Sequence, residues 1–510
     1  MIFFKEKSTT GGDVVKLTAS KVGVSVITLL ISMLLSRFRT LEEYGTYSQM
    51  TLVINLFTTI FMLGLPNSLN YFLAKADTNV ERKHFLSVYY TLSTILSLIV
   101  GLFLVAITPL LVSYFKNPLL FTFWYYLALF PWTRIITSGI ENILVVYKRA
   151  SQIILFRVCN SLAILGSIVW VQLMRWDFVA YMKIYLGVEI VFSIIVYATA
   201  YYLADGLNIK LSFNLIKKIF AFSIPMGLAS MVGTLNIELD KLMIGNLLDT
   251  EQLAIYTNAS KEMPITFISA SITAVLLPQI VQLLKNDNSS NNERAIKLWG
   301  HATNLSFSFI AFLSVALVVF APEVITFLYS EKYLPGISVF RVYSVCLLLR
   351  FTYWGMIINA KGRTKFILYS SLASLILNVL FNYLFYIFWG MIGPAIATLL
   401  SQMIMAFVQL FYSAKILKVS MTRIFPWLPL GKILLTESLL GSLIYLFKIF
   451  SPFDTLISKW IELDTFNGKI VEAFLLGIIW LVIFLMIEFK NMKESWLGLN
   501  NTEDIKTYET

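Results

Sequence analysis

Cysteine and histidine are almost missing from this 510-residue chain, with two of each. Cys159 and Cys346 both lie in apolar stretches, so small buried hydrophobes describe them better than a disulfide framework does. His84 and His301 sit near the ends of apolar runs without a second ligand at metal-site spacing, which argues against a catalytic zinc centre. Charge is scarce as well: 14% of residues are Asp, Glu, Lys or Arg, against 58% hydrophobic. A soluble core needs far less apolar surface, and apolar runs long enough to cross a bilayer recur from end to end, so the chain reads as a polytopic membrane protein. The formal charge of +11 falls mainly in alternate loops, the pattern that encodes membrane topology, so no nucleic-acid partner is expected. Long polar connections are lacking too. The longest outer one, 451–469, is too short for a folded catalytic module, and no nucleotide-sugar site is visible, so an enzyme is not expected.

What is present is a series of about fourteen apolar segments, each near the ~20 residues that span the hydrocarbon core. They run approximately 14–36, 44–65, 85–108, 119–147, 152–174, 179–203, 219–246, 252–284, 298–320, 336–360, 366–389, 392–416, 430–450 and 470–489. The first is long enough to be a retained span and no small-residue cleavage site follows it. Lys and Arg crowd the loops on one side, from Lys75, Arg82 and Lys83 to Lys490 and Lys493. This places both termini in the cytoplasm of a multi-pass cell-membrane protein.

The chain also carries an internal echo. Residues 40–47, with Glu42, Glu43 and Tyr47, join the first two segments, while 249–256, with Glu251 and Tyr256, join the seventh and eighth. A Leu-Pro step follows each, at Leu65-Pro66 and Leu277-Pro278. Six segments separate the copies, so both have the same orientation, the parallel-repeat plan of several secondary transporters. The expected architecture is all-α: a six-helix bundle over 1–210, a second over 211–420, and two further helices with a tail over 421–510.

Several stretches resemble one superfamily, the multidrug/oligosaccharidyl-lipid/polysaccharide (MOP) exporters, and within it the polysaccharide-biosynthesis flippases of the O-antigen type. These are Leu34-Leu-Ser-Arg-Phe38 with Glu42-Glu-Tyr-Gly-Thr-Tyr47; Phe222-Ser-Ile-Pro225 with Asp240-Lys-Leu-Met-Ile-Gly245; and Asn359-Ala-Lys-Gly-Arg-Thr-Lys365 with Asn378, Asn382 and Gly390-Met-Ile-Gly-Pro-Ala395. Pro394 stands where that family usually has Ala. The resemblance implies two pseudo-symmetric bundles around a polar cavity and alternating-access movement of an undecaprenyl-diphosphate-linked oligosaccharide to the outer leaflet. Its implied partners are the lipid-linked oligosaccharide, the bilayer, and a polysaccharide polymerase with its assembly proteins. The competing reading is a cation-coupled drug or metabolite antiporter of the same superfamily, which would favour acids and aromatics over cations in its cavity.

A diphosphate substrate asks for fixed cations in a water-filled cavity. The candidate substrate-binding residues within apolar segments are Lys21, Arg134, Arg157, Lys261 and Arg350. Arg350 is near the middle of its segment; Arg341 and Arg157 are close enough to segment ends to snorkel. Arg134, Ser138 and Glu141 share one helical face, so an internal Arg134–Glu141 pair competes with a substrate role. Asp240 is an acid inside an apolar segment, costly in lipid and hence a functional candidate. Together with Asn378, Asn382 and Thr398 it offers the oxygen ligands a sodium ion wants, and related lipid-linked-precursor flippases are thought to place a sodium site at similar positions. The simpler account pairs Asp240 with Lys241 or another bundle cation and leaves the Asn residues as interhelical glue. A proton on Glu189, Glu262 or Asp240 is the rival coupling; no organic cofactor is expected. Tyr47, Tyr256 and Trp354 are candidates for stacking on sugars, although interfacial belts explain most of the aromatics, which make up 15% of the chain.

Overall fold

The structure is a computed structural model that describes residues 10–261, 263, 267–285, 288–450 and 465–500. Glu262, and most of the 451–469 connection, lie outside the described residues. Among the described residues the chain is almost entirely helical, without strands. The first compact unit runs to Thr257 and the second begins at Asn258.

The first unit opens with α1 (Thr10–Phe38), α2 (Leu41–Met62), the short α3 (Leu65–Ser68) and α4 (Asn79–Ala106). It continues through α5 (Thr108–Phe115), α6 (Leu119–Thr122), α7 (Trp124–Ser138), α8 (Ile140–Val146), α9 (Ala150–Leu173), α10 (Phe178–Leu203), α11 (Phe213–Leu247) and most of α12 (Thr250–Ala259). The second unit contains α13 (Phe267–Leu283), α14 (Ser289–Val319), α15 (Ala321–Tyr329), α16 (Ile337–Cys346), α17 (Met356–Ala360), α18 (Thr364–Trp389), α19 (Ile392–Leu417), α20 (Trp427–Phe450) and α21 (Thr465–Asn500).

Eleven helices are long and apolar enough to cross a membrane, and α2 with α3 and the turn to Leu73 makes a twelfth if its 45° bend is counted as one span. The two remaining expected segments are present but interrupted. Segment 119–147 breaks at Phe123 and Gly139, and segment 252–284 breaks between α12 and α13. The chain is thus an all-α multi-pass membrane protein, consistent with fourteen segments.

Local chemistry sets the element ends. Thr40 caps α2 in a reciprocal box, its hydroxyl accepting from Glu43 N at 3.1 Å while Glu43 Oε2 accepts from Thr40 N at 3.0 Å. The helix stops where Leu63 and Gly64 take positive φ (45° and 71°) ahead of Pro66. That bend packs on α11, so tightly that a Cβ on Gly227 would lie 2.2 Å from the Leu63 carbonyl carbon. α11 packs on α2 and α3, and the first compact unit includes it.

In the second unit α21 packs on α14 and α20. Phe312 stacks on Phe484 (5.0 Å) and meets the Trp480 edge (5.6 Å), while Lys448 of α20 pairs with Glu323 of α15 at 2.6 Å. Trp480 Nε1 donates to the fully buried Glu437 at 3.1 Å. The accessory helices are thereby tied to the body of the unit by aromatic packing, one ion pair and one buried hydrogen bond.

Candidate functional site

In the first unit, Arg134 lies one turn before the end of α7. Its guanidinium is 5.0 Å from the centroid of the Phe130 ring and within electrostatic reach of Tyr185 and Glu189 on α10, Tyr126 on α7 and Tyr47 on α2. Protein surrounds the charge, yet the residue keeps accessible surface. That is the geometry of a side chain on the wall of a recess. Glu189 is buried, with Asn160 of α9 near it. The Tyr185 and Tyr47 ring centroids are 6.4 Å apart, and Tyr126 stacks on Phe130 at 4.4 Å. A cation, an acid on its far side and three phenols therefore converge from α2, α7 and α10. Such a recess can take an anionic group against the guanidinium and hydroxyl-rich rings against the phenols.

The expected Arg134–Glu141 pair does not form among the described residues. Gly139 ends α7, and Glu141 on α8 pairs instead with Arg157 of α9. Arg157 is thus already neutralised by protein, and the acid facing Arg134 is Glu189. Of the participants, Tyr126, Tyr185 and Asn160 were missed from the sequence. The spacing of Tyr181, Tyr185 and Glu189, one turn apart along α10, is the signal that could have found them.

The other sequence candidates are distributed as follows. Lys21 is exposed on α1, which packs mainly on α9. Lys261 does not lie inside a helix as expected: it follows α12 in the interruption before α13, its N–H bonding Asn258 O at 3.3 Å. Arg350 was expected mid-helix, but the span unwinds there. After α16 and a 3₁₀ turn (Leu347–Leu349), residues 350–355 are non-helical until α17 begins. Trp354 Nε1 donates to Leu349 O (2.8 Å) and Trp299 Nε1 to Thr352 Oγ1 (2.9 Å), re-satisfying groups freed by the break. Arg341 donates to Val318 O at 3.2 Å.

Asp240 is buried at 2% exposure, and its Oδ2 accepts from Tyr256 Oη at 2.8 Å. The expected Asp240–Lys241 ion pair is replaced: Lys241 Nζ goes to Glu238 Oε2 at 2.8 Å, and only the Lys241 backbone N–H reaches Asp240 Oδ1, also at 2.8 Å. Tyr256 is fully buried in this role, so it is no sugar platform. In the second unit Asn378, Asn382 and Thr398 come together between α18 and α19. Asn378 Nδ2 donates to Thr398 Oγ1 (3.1 Å) and Ser401 Oγ (3.3 Å), and Asn382 Nδ2 to Asn378 Oδ1 (3.3 Å). Asn382 Oδ1 is buried without a hydrogen-bond partner among the described residues. Three of the four expected ion ligands therefore share one buried polar seam in the second unit, and Asp240 belongs to the first. No cluster of three or more His, Cys, Asp or Glu suited to a metal occurs among the described residues.

The two echoed junctions of the sequence touch. Gln49 Nε2 donates to Thr250 Oγ1 (3.1 Å), and Asn117 Nδ2 donates to Thr46 Oγ1 (2.8 Å) and Gln49 Oε1 (2.7 Å). A Cβ on Gly45 would stand 2.1 Å from Thr250 O, so only glycine permits this approach.

The long apolar spans and the span interrupted at 347–355 define an all-α multi-pass membrane protein. The fold matches a structure described as Lipid II flippase MurJ, inward closed conformation, with TM-score 0.66 and 15% identity, over 93% of this chain and 99% of that one. It also matches an inward-facing multidrug resistance MATE family transporter, with TM-score 0.60 and 18% identity, over 78% of this chain and 94% of that one. More particularly, the chain belongs to the family described as polysaccharide biosynthesis protein, whose sequence model matches residues 34–338. It is 26% identical over 240 residues to the capsular polysaccharide biosynthesis protein CapF of Staphylococcus aureus, covering 46% of this chain. That match spans 59% of the length of the curated relative.

Proposed function

We propose that this protein is a flippase carrying an undecaprenyl-diphosphate-linked oligosaccharide from the cytoplasmic to the outer leaflet by alternating access, for assembly of a cell-surface polysaccharide. The observation that carries the reading is Arg134: a cation on a recess wall, set among Tyr47, Tyr126 and Tyr185. Family membership points the same way. In this scheme Arg134 meets the diphosphate, with Lys21, Arg350 and Lys261 as further cations and Arg157 held back by Glu141. The moving parts are 1–210 and 211–420, with 421–510 as an accessory pair and both termini cytoplasmic. The chain moves its substrate without covalent chemistry, and hands it to a polymerase and its assembly proteins outside.

Coupling is assigned to sodium at Asn378, Asn382, Thr398 and Asp240, with a proton on Glu189 as the rival. The buried Glu189 beside Arg134 is the one feature that favours the second reading, a cation-coupled drug or metabolite antiporter. Deleting the gene and analysing envelope lipids separates them. Accumulation of a lipid-linked repeat unit on the cytoplasmic leaflet is the expected result. Unchanged lipid intermediates with altered drug tolerance would transfer the assignment to the antiporter.

A further inference from the structure

At one end of the second unit, the start of α14, the turn 418–426 and the end of α21 line a half-open cleft of about 340 Å³ that carries charged side chains on a mainly apolar wall. Against it lies an open apolar groove of about 710 Å³ along the start of α20. Phe425, Pro426 and Pro429 line both, so the two spaces adjoin. Each falls in the size range of ligand clefts, roughly 300–1,000 Å³. Nothing in the transport scheme above uses either.

The cavity is rigidly built. Ile424 and Phe425 are buried in the core, and Phe425 is ringed by Trp299 (5.4 Å), Trp354 (5.2 Å) and Trp427 (5.1 Å), so the turn that presents Arg423 is pinned. On the opposite wall α21 comes so close that a Cβ on Gly498 would lie 2.6 Å from the His301 ring. Two cations, Lys297 and Arg423, line the cavity with one carboxylate, Glu494, and all three are exposed. Lys432 stands on the adjoining groove. At the base, the orientation of Asn304 is fixed by a chain of donors. Asn491 Nδ2 gives to Glu488 Oε2 (2.8 Å), and Asn304 Nδ2 gives to Asn491 Oδ1 (2.7 Å) and Ser495 Oγ (3.0 Å). Asn304 Oδ1 is buried without a donor among the described residues.

Depth selects the ligand. Lys297 lies two turns into the membrane-spanning α14, and Trp427 opens the membrane-spanning α20. The cavity therefore sits at headgroup level, while the groove, with Leu428 and Leu435 at 72% and 62% exposure, continues toward the hydrocarbon. Two cations above an apolar track match a phosphate and an acyl chain. Basic pockets between membrane helices bind anionic headgroups in this way. We infer that this end of the second unit holds an anionic phospholipid, its phosphate between Lys297 and Arg423 and one acyl chain along the α20 groove.

The test is native mass spectrometry of the purified full-length protein, delipidated in detergent and titrated with dioleoyl phosphatidylglycerol or dioleoyl phosphatidylcholine. One phosphatidylglycerol per chain is expected to survive collisional activation, with at least fivefold less phosphatidylcholine. The exposed double variant Lys297→Ala/Arg423→Ala is expected to lose that selectivity, and Leu428→Gln/Leu435→Gln to shorten retention while keeping it selective. Equal retention of the two lipids by the unaltered protein, or undiminished selectivity in the cationic variant, would overturn the site. Inorganic phosphate is expected to leave the melting temperature unchanged while dioctanoyl phosphatidylglycerol raises it. Equal shifts with both would show a bare anion site and refute the lipid assignment.

Discussion

Two polar clusters, one in each unit, are handled in opposite ways. In the first unit, Arg134 and Glu189 are formal charges supported by phenols and an amide, and the cation keeps an open side. In the second, the α18–α19 seam is neutral and closed: Ser374, Asn378, Thr398, Ser401 and Gln409 are all buried and bond across the two helices. A walled charge with an open side is organised to meet something from outside. A sealed neutral ladder serves the helices themselves, or a small dehydrated cation that replaces one of its donors.

Four substitutions probe that contrast, beginning with the largest effect. Arg134→Ala should reduce export of the lipid-linked unit by roughly tenfold to a hundredfold, since hydrogen bonds to charged groups contribute about 1.5–3 kcal/mol each. Arg134→Lys should recover part of it, measured as lipid-linked intermediate retained inside cells at equal protein level. Undiminished export in Arg134→Ala removes the recess from the mechanism. Gly227→Leu, which drives a side chain into the Leu63–Gly64 bend, should destabilise the fold by roughly 1–3 kcal/mol or more; thermal unfolding in detergent reads it out. Tyr256→Phe deprives the Asp240 carboxylate of a donor and should cost about 1–3 kcal/mol with export kept. A collapse of export at full stability would make Asp240 a working group rather than a structural one. Smallest is Asn378→Ala. As interhelical glue its hydrogen bonds are worth about 0.6 kcal/mol on average, with a ceiling near 1.7. If the seam instead binds sodium, export by this variant loses its sodium dependence while unfolding scarcely moves.

The spans were legible because hydropathy reports transfer into lipid, and α9, α10, α18 and α19 lie close to their expected bounds. The interruptions were not, because an apolar residue reads the same in a helix and beside one. Residues 350–355, Arg-Phe-Thr-Tyr-Trp-Gly, contain three large aromatics that read as part of an apolar segment while the backbone unwinds. Arg134 stood out as a cation in an apolar run, and Asn378 with Asn382 by their one-turn spacing. The partner of Arg134 did not, since Glu189 is brought to it only by the packing of α7 on α10. The same holds for Tyr256 and Asp240, sixteen residues apart and joined by the turn between α11 and α12.

The glycine contacts between the echoed halves have a mechanical consequence. Where α2 meets α11 and the start of α12, the closest approaches are backbone against backbone at Gly45–Thr250 and Gly64–Gly227, and the Gln49–Thr250 hydrogen bond joins two neutral side chains. For a carrier working by alternating access, such a seam can part without stranding a charge in lipid, because what is lost is mostly dispersion between small surfaces.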